Sequence, residues 1–289
     1  MIILGTDEAG YGPNLGPLVV SLTAWESDVD DISFLFEPLK KEGILIADSK
    51  KLYHGGSIAA LETGVLAALQ TLKISPVPER KSTAYQLSNK KPGAANLDSE
   101  KLERILQQHR VRLLDMQYRS VETDEFNSLL DQFKSKGSLL SQVTLRLIVD
   151  QIKKITLDKN DMPILILCDK HGGRNHYLDI LTEFFPGEFI QPIAESRENS
   201  IYRLTSSSRR LEFRFLAKGE SQLPIALASM LSKYRRELAM RQFNAFWQSH
   251  VPDLHPTAGY PDDAKRFKQQ IAGAQKKLGI ADESLWRKR

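Results

Sequence analysis

The sequence opens with MIILGTDEAGYGPNLGPLVVSLTAW, residues 1–25, and this stretch decides the fold. Residues 1–6 are mostly apolar, which predicts a strand that ends at the carboxylates of Asp7 and Glu8. Glycines then predict a turn over residues 10–16, and residues 18–25 are a second apolar run rich in β-forming residues. The pattern indicates two strands joined by a glycine-rich loop, with two acids at the end of the first strand.

Helix and strand patterns alternate along the rest of the chain. The clearest strand is the apolar run of residues 163–168, which follows a predicted helix and stops at Asp169. Further strands are predicted over 110–121 and within 188–217, with a hairpin turn near 206–208. Predicted helices cover residues 57–72, 98–109, 123–133, 138–155, 175–185, 224–247 and 262–271. Residues 75–97, which hold several prolines and lysines, predict a loop or insertion. This order indicates an α/β architecture.

The length of 289 residues suits one large domain, or a core with an added lobe. We predict a core over residues 1–217, with insertions near 75–109 and 188–212. Residues 218–289 are predicted to form a helical C-terminal part that is continuous with this core.

Composition excludes several classes of protein. Cys168 is the only cysteine, so a disulfide framework and a cysteine-rich zinc site are excluded, and a reducing compartment is indicated. No apolar run approaches the roughly 18 residues that a membrane span needs. The opening residues lack the basic flank of a secretory signal. We therefore expect a cytoplasmic protein that does not bind membranes.

Positive charge is concentrated near the C-terminus. Residues 218–289 hold 13 Lys and Arg against 7 Asp and Glu, a net of +6, whereas the whole chain carries +4. A basic quarter of this kind could neutralise phosphates and release counterions. The charge alone is equally compatible with solvated helix faces.

Three acids follow predicted strands, namely Asp7, Glu8 and Asp169. Ligands gather beside strand ends in α/β sheets, and clustered carboxylates resist full ionisation unless a cation joins them. Oxygen ligands suit Mg²⁺ or Mn²⁺. Adjacent residues of a strand point to opposite faces, so Asp7 and Glu8 cannot both face one ion from an ideal strand. Taken singly, each acid is more simply a surface turn residue or a helix cap.

The surrounding motifs favour a shared site. GTDEAGYGP, residues 5–13, with GPLVV, residues 16–20, closely resembles the opening motif of the type 2 ribonucleases H, the HII/HIII group. Later segments resemble further motifs of that family, in family order and over most of the chain: DSKKL (48–52), LILCD (165–169), KGES (218–221), ASMLSK (228–233) and GYP (259–261).

The resemblance implies an RNase H-like α/β fold, in which helices flank a central mixed five-stranded sheet and a helical C-terminal region follows. It implies a metal-dependent endonuclease that cuts the RNA strand of RNA–DNA hybrids, or of duplexes with an embedded ribonucleotide, and leaves 5′-phosphate and 3′-hydroxyl ends. Four catalytic acids would hold Mg²⁺ or Mn²⁺, with two ions in the substrate complex: Asp7, Glu8, Asp169 and Glu220.

The same resemblance implies a set of substrate-binding residues. The backbone of Gly10, Tyr11 and Gly12 would approach the ribose and sense its 2′-hydroxyl, the group that separates RNA from DNA. Three side chains would contact phosphates or support the acids: Lys50, Ser229 and Lys233. Tyr260 would pack near the hybrid, and residues 218–289 would complete the active site and bind nucleic acid. We expect a monomer.

Several features depart from the common HII pattern. Tyr11 stands where an arginine usually lies between the two glycines, and Glu220 replaces an aspartate and is one methylene longer. Asp169 lacks a glycine directly after it, and the 51 residues from Asp169 to Glu220 are a longer interval than usual. These departures predict a divergent branch with altered substrate preference.

Two other hypotheses stay open beside the hybrid-specific nuclease. One is a nucleic-acid-binding protein that kept the fold and lost catalysis, and the other is a structure-specific nuclease on the same fold. All four acidic positions still carry acids, which favours an enzyme. His171 and His176 lack the partners of a zinc site, so we expect solvated residues, with a proton-shuttle role open to His171. The basic tail around Trp286 could lie on a phosphate backbone or on a partner.

Overall fold

A computed structural model describes residues 1–53, 58–73, 95–158, 162–205 and 209–288, with only the backbone at 95–97 and 156–158. Residues 75–94 of the loop predicted over 75–97, the predicted helix start at Ser57 and the hairpin turn at 206–208 lie outside these residues, whereas residues 95–97 of that loop are helical. The strands are β1 (Ile2–Ala9), β2 (Leu18–Glu26), β3 (Arg112–Val121), β4 (Ile164–Asp169), β5 (Phe189–Glu195), β6 (Asn199–Thr205) and β7 (Arg210–Leu216).

Helices pack around these strands. They are α1 (Phe36–Lys41), α2 (Ser49–Leu52), α3 (Ala59–Thr71), α4 (Ala95–Gln108), α5 (Thr123–Phe133), α6 (Lys136–Asp158), α7 (Leu178–Phe184), α8 (Leu223–His250), α9 (Pro261–Leu278) and α10 (Asp282–Leu285). Helix α4 begins three residues before the predicted start, and α9 runs seven residues past its predicted end at Ile271. No helix in the described ranges is long and apolar enough to cross a membrane.

The strands form one mixed sheet in the order β3-β2-β1-β4-β7-β6-β5. β1 pairs with β4 in parallel and β4 with β7 in parallel, whereas the remaining neighbours are antiparallel. The predicted fold is confirmed, but the expected count of five strands was wrong, because the described residues form seven. β5 and β6 add the two extra strands, and β6 buries alternate residues, which gives it a core-facing side.

Alternate residues of the central strands pack against opposite layers of helices. Ile3 of β1 and Leu165 of β4 are fully or almost fully buried against the layer that contains α3 and α8. Leu4 and Ile166 are buried on the other face, in the cluster that includes residues of α6 and α7. This alternation decides which end-of-strand side chains can meet.

Helix α8 crosses β1 at very short range. Thr23 of β2 donates its hydroxyl to the Pro224 carbonyl at 2.8 Å, close to the start of α8. A Cβ atom added to Gly5 would lie 2.3 Å from the Pro224 carbonyl carbon. Only glycine therefore lets the first turn of α8 rest on β1, and this contact positions the helix beside the strand end.

The Gly5→Ala substitution should destabilise the protein by about 3 kcal/mol, because backbone rather than a mobile side chain must move to admit the methyl group. Chemical denaturation measures this free energy of unfolding. Gly273→Ala is the matched control, since a Cβ there meets nothing within 4 Å in the middle of α9. The control should raise stability by about 0.5–1 kcal/mol. Equal effects of the two variants would contradict the close approach.

Candidate active site at the carboxyl ends of two parallel strands

Asp7 and Asp169 leave neighbouring parallel strands at the same edge of the sheet. Thr6 pairs with Cys168, so the two aspartates follow directly after paired residues. By strand alternation Asp7 shares the face of Ile3, and Asp169 shares the face of Leu165, which is the face that packs on α8. The pairing therefore brings these two acids together.

Serines of α2 and α8 hold Asp7 in place. The Ser232 hydroxyl lies 3.0 Å from the Asp7 carbonyl oxygen, to which it donates, and 2.7 Å from the Ser21 hydroxyl. The Ser229 hydroxyl hydrogen-bonds the Asp7 side chain and lowers its pKa, although other effects dominate. Ser49 lies 2.9 Å from Ser229, hydroxyl to hydroxyl. Ser229 therefore contacts one of the four acids, and its role in the site stays a prediction.

Glu220 joins the cluster from the 3₁₀ turn Gly219–Ser221. The Gly219 amide donates to Asp169 Oδ1 at 3.0 Å, which ties this turn to the end of β4. Lys218, just before it, adopts a left-handed backbone with φ of 59°. The Glu220 side chain is only 10% exposed, and its Oε1 lies 3.5 Å from the Lys50 ammonium.

Glu8 approaches from the opposite face of the strand. It lies within β1, paired with Val20, and not in the turn that follows. Alternation therefore directs its side chain away from α8. Burial, followed by the charges of Asp7 and Asp169, raises the pKa of Glu8 well above its ordinary value. Glu8 therefore still interacts electrostatically with the other carboxylates.

The four acids form one electrostatic group. Burial, then the Asp169 charge, raises the pKa of Asp7 to about 8. Burial raises the pKa of Asp169 too, and the Glu220 charge adds to that rise. Burial alone would lower the pKa of Lys50. The charges of Glu220, Asp7 and Asp169 outweigh burial, so the pKa of Lys50 lies above its ordinary value. The acids thus resist ionisation together, and a single lysine only partly offsets their mutual repulsion.

This donor set fits a divalent cation in its chemistry. Four hard carboxylate oxygens suit Mg²⁺ or Mn²⁺, and their mutual repulsion is what a cation would relieve. In the described ranges, no three Asp, Glu, His or Cys side chains are gathered closely enough to hold an ion as they stand. Glu8 leaves β1 on the face away from α8, and the Glu220 carboxylate contacts Lys50.

The loop of residues 10–16 lies beside the acids. Gly10 has φ of 87°, and a Cβ there would lie 2.4 Å from the Pro17 carbonyl oxygen. A Cβ at Gly12 would meet nothing, and Gly12 is exposed. The Tyr11 phenol rests against Gly172, where an added Cβ would lie 2.5 Å from its hydroxyl oxygen. Tyr11 therefore occupies a packed position.

The remaining predicted substrate residues differ in their surroundings. The Lys50 side chain is 82% exposed and lies next to the acids. Lys233 is mostly buried, since its ammonium contacts Glu237 at 2.7 Å and lies 4.0 Å from the centre of the Tyr53 ring. Tyr260 is 52% exposed, directly before α9. Their contacts with substrate stay predictions.

A cleft of about 800 Å³ opens next to Asp169 and Glu220. Its walls carry four lysines, Lys40, Lys50, Lys51 and Lys218, and two further acids, Glu37 and Asp48. The lysines are close enough to the acids to offset part of the repulsion that a phosphate would meet there.

Sequence reasoning missed the residues that support the acids. Ser49 and Ser232 lie within the quoted motifs DSKKL and ASMLSK, but they were assigned no role, because only the packing of α2 and α8 gives them their partners. Glu237 lies outside the motifs and contacts Lys233. The prediction for His171 was wrong, because this residue is 2% exposed rather than solvated. Burial, then the Arg174 charge, lowers its pKa to about 3, so it is neutral at pH 7 and unsuited to shuttling protons.

No protein-family model and no curated protein matches the sequence. Solved structures do match. The RNase HII of Archaeoglobus fulgidus, solved in complex with PCNA, aligns over 100% of this chain and 95% of its own, at 18% identity and a TM-score of 0.50. Ribonuclease H2 of Pyrococcus horikoshii OT3 aligns over 99% and 92%, at 16% identity and the same TM-score. These likenesses confirm that the chain has the fold of type 2 ribonucleases H.

Stability without metal should depend on pH through Asp7. The pKa of Asp7 is about 8 in the folded protein, against an ordinary 3.8. The folded state therefore binds the extra proton between these values, and the free energy of unfolding should fall as pH rises from about 4 to about 8. Asp7→Asn cannot ionise, so its stability relative to wild type should rise across that window and then level off.

Urea unfolding in EDTA across this pH range measures the difference between the two proteins. Asp179→Asn is a suitable control, since Asp179 is exposed and no shift in the pKa of Asp7 arises from it. A stability difference between wild type and Asp7→Asn that stays constant with pH would contradict the assignment of the proton to Asp7.

Proposed function

We propose that this protein is a divalent-metal-dependent endonuclease that hydrolyses the RNA strand of RNA–DNA hybrids, or of duplexes with an embedded ribonucleotide, and leaves 5′-phosphate and 3′-hydroxyl ends. One observation carries the proposal. Carboxylates from three separate segments of the chain meet at the strand ends of an RNase H-like fold, where their charges help to raise the pKa values of Asp7, Glu8 and Asp169.

Asp7, Glu8, Asp169 and Glu220 are the residues that would hold Mg²⁺ or Mn²⁺. Two such ions, when bound, activate water and stabilise the leaving oxygen of a phosphodiester. The protein's own contribution is to keep the acids in position. Ser229 restrains the Asp7 carboxylate, and the Gly219 amide restrains that of Asp169.

The surroundings favour a nucleic-acid substrate. Lys50 reaches the acids with a largely exposed side chain, where it can also neutralise a phosphate. The lysines of the adjacent cleft and the net charge of +6 over residues 218–289 offer further cations that can neutralise phosphates. We propose that the protein acts as a cytoplasmic monomer on this substrate.

The loop of residues 10–16 is proposed to read the ribose. The amides of Tyr11 and Gly12 have no acceptor in the described parts of the chain, and Gly12 faces open space. Free backbone donors on an exposed glycine loop can approach a sugar hydroxyl closely. Tyr11 packs against Gly172, so the backbone, rather than a charged side chain, would make this contact.

Asp169→Asn should lower cleavage of a labelled hybrid at least about a thousandfold in Mg²⁺ or Mn²⁺, because one charge of the acid group is lost. Binding of the hybrid should change little. Gel-resolved cleavage and fluorescence anisotropy measure the two quantities, and the exposed Asp179→Asn is the matched control. Full activity of Asp169→Asn would refute the role of Asp169.

Wild type separates the alternatives in the same assay. Cleavage that EDTA stops supports the nuclease, whereas tight binding without cleavage would identify a binding protein on this fold. Preferential cleavage of all-DNA duplexes or junctions would instead identify a structure-specific nuclease.

Gly12→Ala should fold normally yet bind the hybrid about tenfold more weakly, since the methyl group meets no protein atom and projects into the space proposed for the sugar. Thermal unfolding and anisotropy measure the two effects. Gly273→Ala serves again as the control that adds a methyl group elsewhere. Unchanged hybrid affinity of Gly12→Ala would place the ribose away from this loop.

A further inference from the structure

Two arginines are buried directly beneath the loop of residues 10–16. Arg236 of α8 is 1% exposed, and Arg287, near the C-terminus, is 4% exposed. They come from separate parts of the chain, and neither was singled out by a motif. A buried guanidinium is costly unless its hydrogen bonds and its charge are satisfied.

The two side chains bind the carbonyl groups of the loop. Arg287 donates through Nη1 to the Gly10 carbonyl and, at 3.5 Å, to that of Pro13. Its own backbone amide donates to the Asn14 carbonyl at 2.9 Å. Arg236 donates to the Ala258 carbonyl at 3.0 Å and to the Leu15 carbonyl of the loop at 3.5 Å. The loop is thus held on its inward side by hydrogen bonds that its carbonyl groups accept from the two arginines.

The charges under the loop are only partly compensated. Arg236 has a carboxylate of Glu237 at 3.6 Å. Burial, then the charge of Arg236, lowers the pKa of Arg287 to about 9, and the charge of Glu122 only partly opposes this. In the described part of the chain, Nε of Arg236 and both Nε and Nη2 of Arg287 have no hydrogen-bond partner. The loop therefore lies directly over two buried, positively charged side chains.

The C-terminal segment is anchored so that Arg287 stays in this place. We call residues 282–288 the C-terminal strap. Asn127 of α5 donates to the carbonyls of Glu283 and Trp286 at 2.9 and 2.8 Å, and accepts from the Lys288 amide at 2.7 Å. The Arg287 guanidinium also lies 4.5 Å from the centre of the Phe126 ring. The tail therefore packs on its own chain.

We infer that Arg287 is a positioning residue for the loop of residues 10–16, with Arg236 as its partner on α8. By binding the loop carbonyls from below, the pair leaves the amides of Tyr11 and Gly12 directed to the side where substrate would approach. The positive charge beneath these amides favours a ligand that brings a phosphate next to a sugar hydroxyl. The part of this inference that concerns substrate rests on the proposed function.

The test uses Arg287→Gln and Arg287→Lys in the full chain, with Lys288→Ala as control. Lys288 is exposed, and its side chain contacts Asp131 rather than the loop. The amides of Asn14 and Leu15 donate to the Gly259 carbonyl at 2.8 and 3.3 Å, so their hydrogen exchange reports on the loop. Arg287→Gln should speed exchange at these two amides about tenfold without a change at the β4 amides. Arg287→Lys should have a smaller effect, because it keeps the charge and one donor.

Kinetics give a second readout. The Michaelis constant for the hybrid should rise about tenfold in Arg287→Gln while kcat stays within about threefold, because the loop binds rather than reacts. Faster exchange confined to the loop supports the inference. Unchanged exchange, or a uniform increase over the whole chain, overturns it. If wild type cleaves no hybrid, the proposed function fails, and the exchange data alone still decide whether Arg287 positions the loop.

Discussion

The parallel pairing of β1 with β4 is the constraint on which the rest of the structure depends. It places Asp7 and Asp169, which are 162 residues apart in the printed numbering, one after the other at the same sheet edge and on the same face. Two buried carboxylates at such a place repel each other, and the fold must hold them against that repulsion. Hydrogen bonds from the serines of α2 and α8 and from the Gly219 amide hold these acids in place. The Lys50 ammonium offsets part of their charge.

The position of α8 follows from the same edge. Gly5 lets the start of α8 rest on β1, and from there Ser229 and Ser232 come within reach of Asp7. One helix thus covers the apolar face of the sheet and supplies the polar contacts at its end. Folding and site assembly therefore use the same contact, so a change at Gly5 cannot affect one without the other.

The loop between β1 and β2 is built from both ends of the chain. Its glycines permit the turn, but Arg236 and Arg287 hold its carbonyl groups, and the C-terminal strap is fixed on α5 by Asn127. Burial of two guanidiniums costs free energy that a neutral packing would avoid. Their placement under the free amides of Tyr11 and Gly12 is consistent with a binding surface, whose stability depends on a distant segment.

Local patterns in the sequence determined the strands that end in acids, the glycine turn and the helices, because apolar periodicity and glycine content act over a few residues. The order of the motifs also indicated the fold, although it implied five strands, and β5 and β6 bring the number in the described residues to seven. Tertiary structure alone decided that Glu8 lies within β1 rather than in the turn after it, that His171 is buried, that Lys233 is held by Glu237, and that Arg287 lies under the loop. The physical reason is that burial and charge pairing depend on neighbours supplied by remote segments, and no short stretch of sequence contains them.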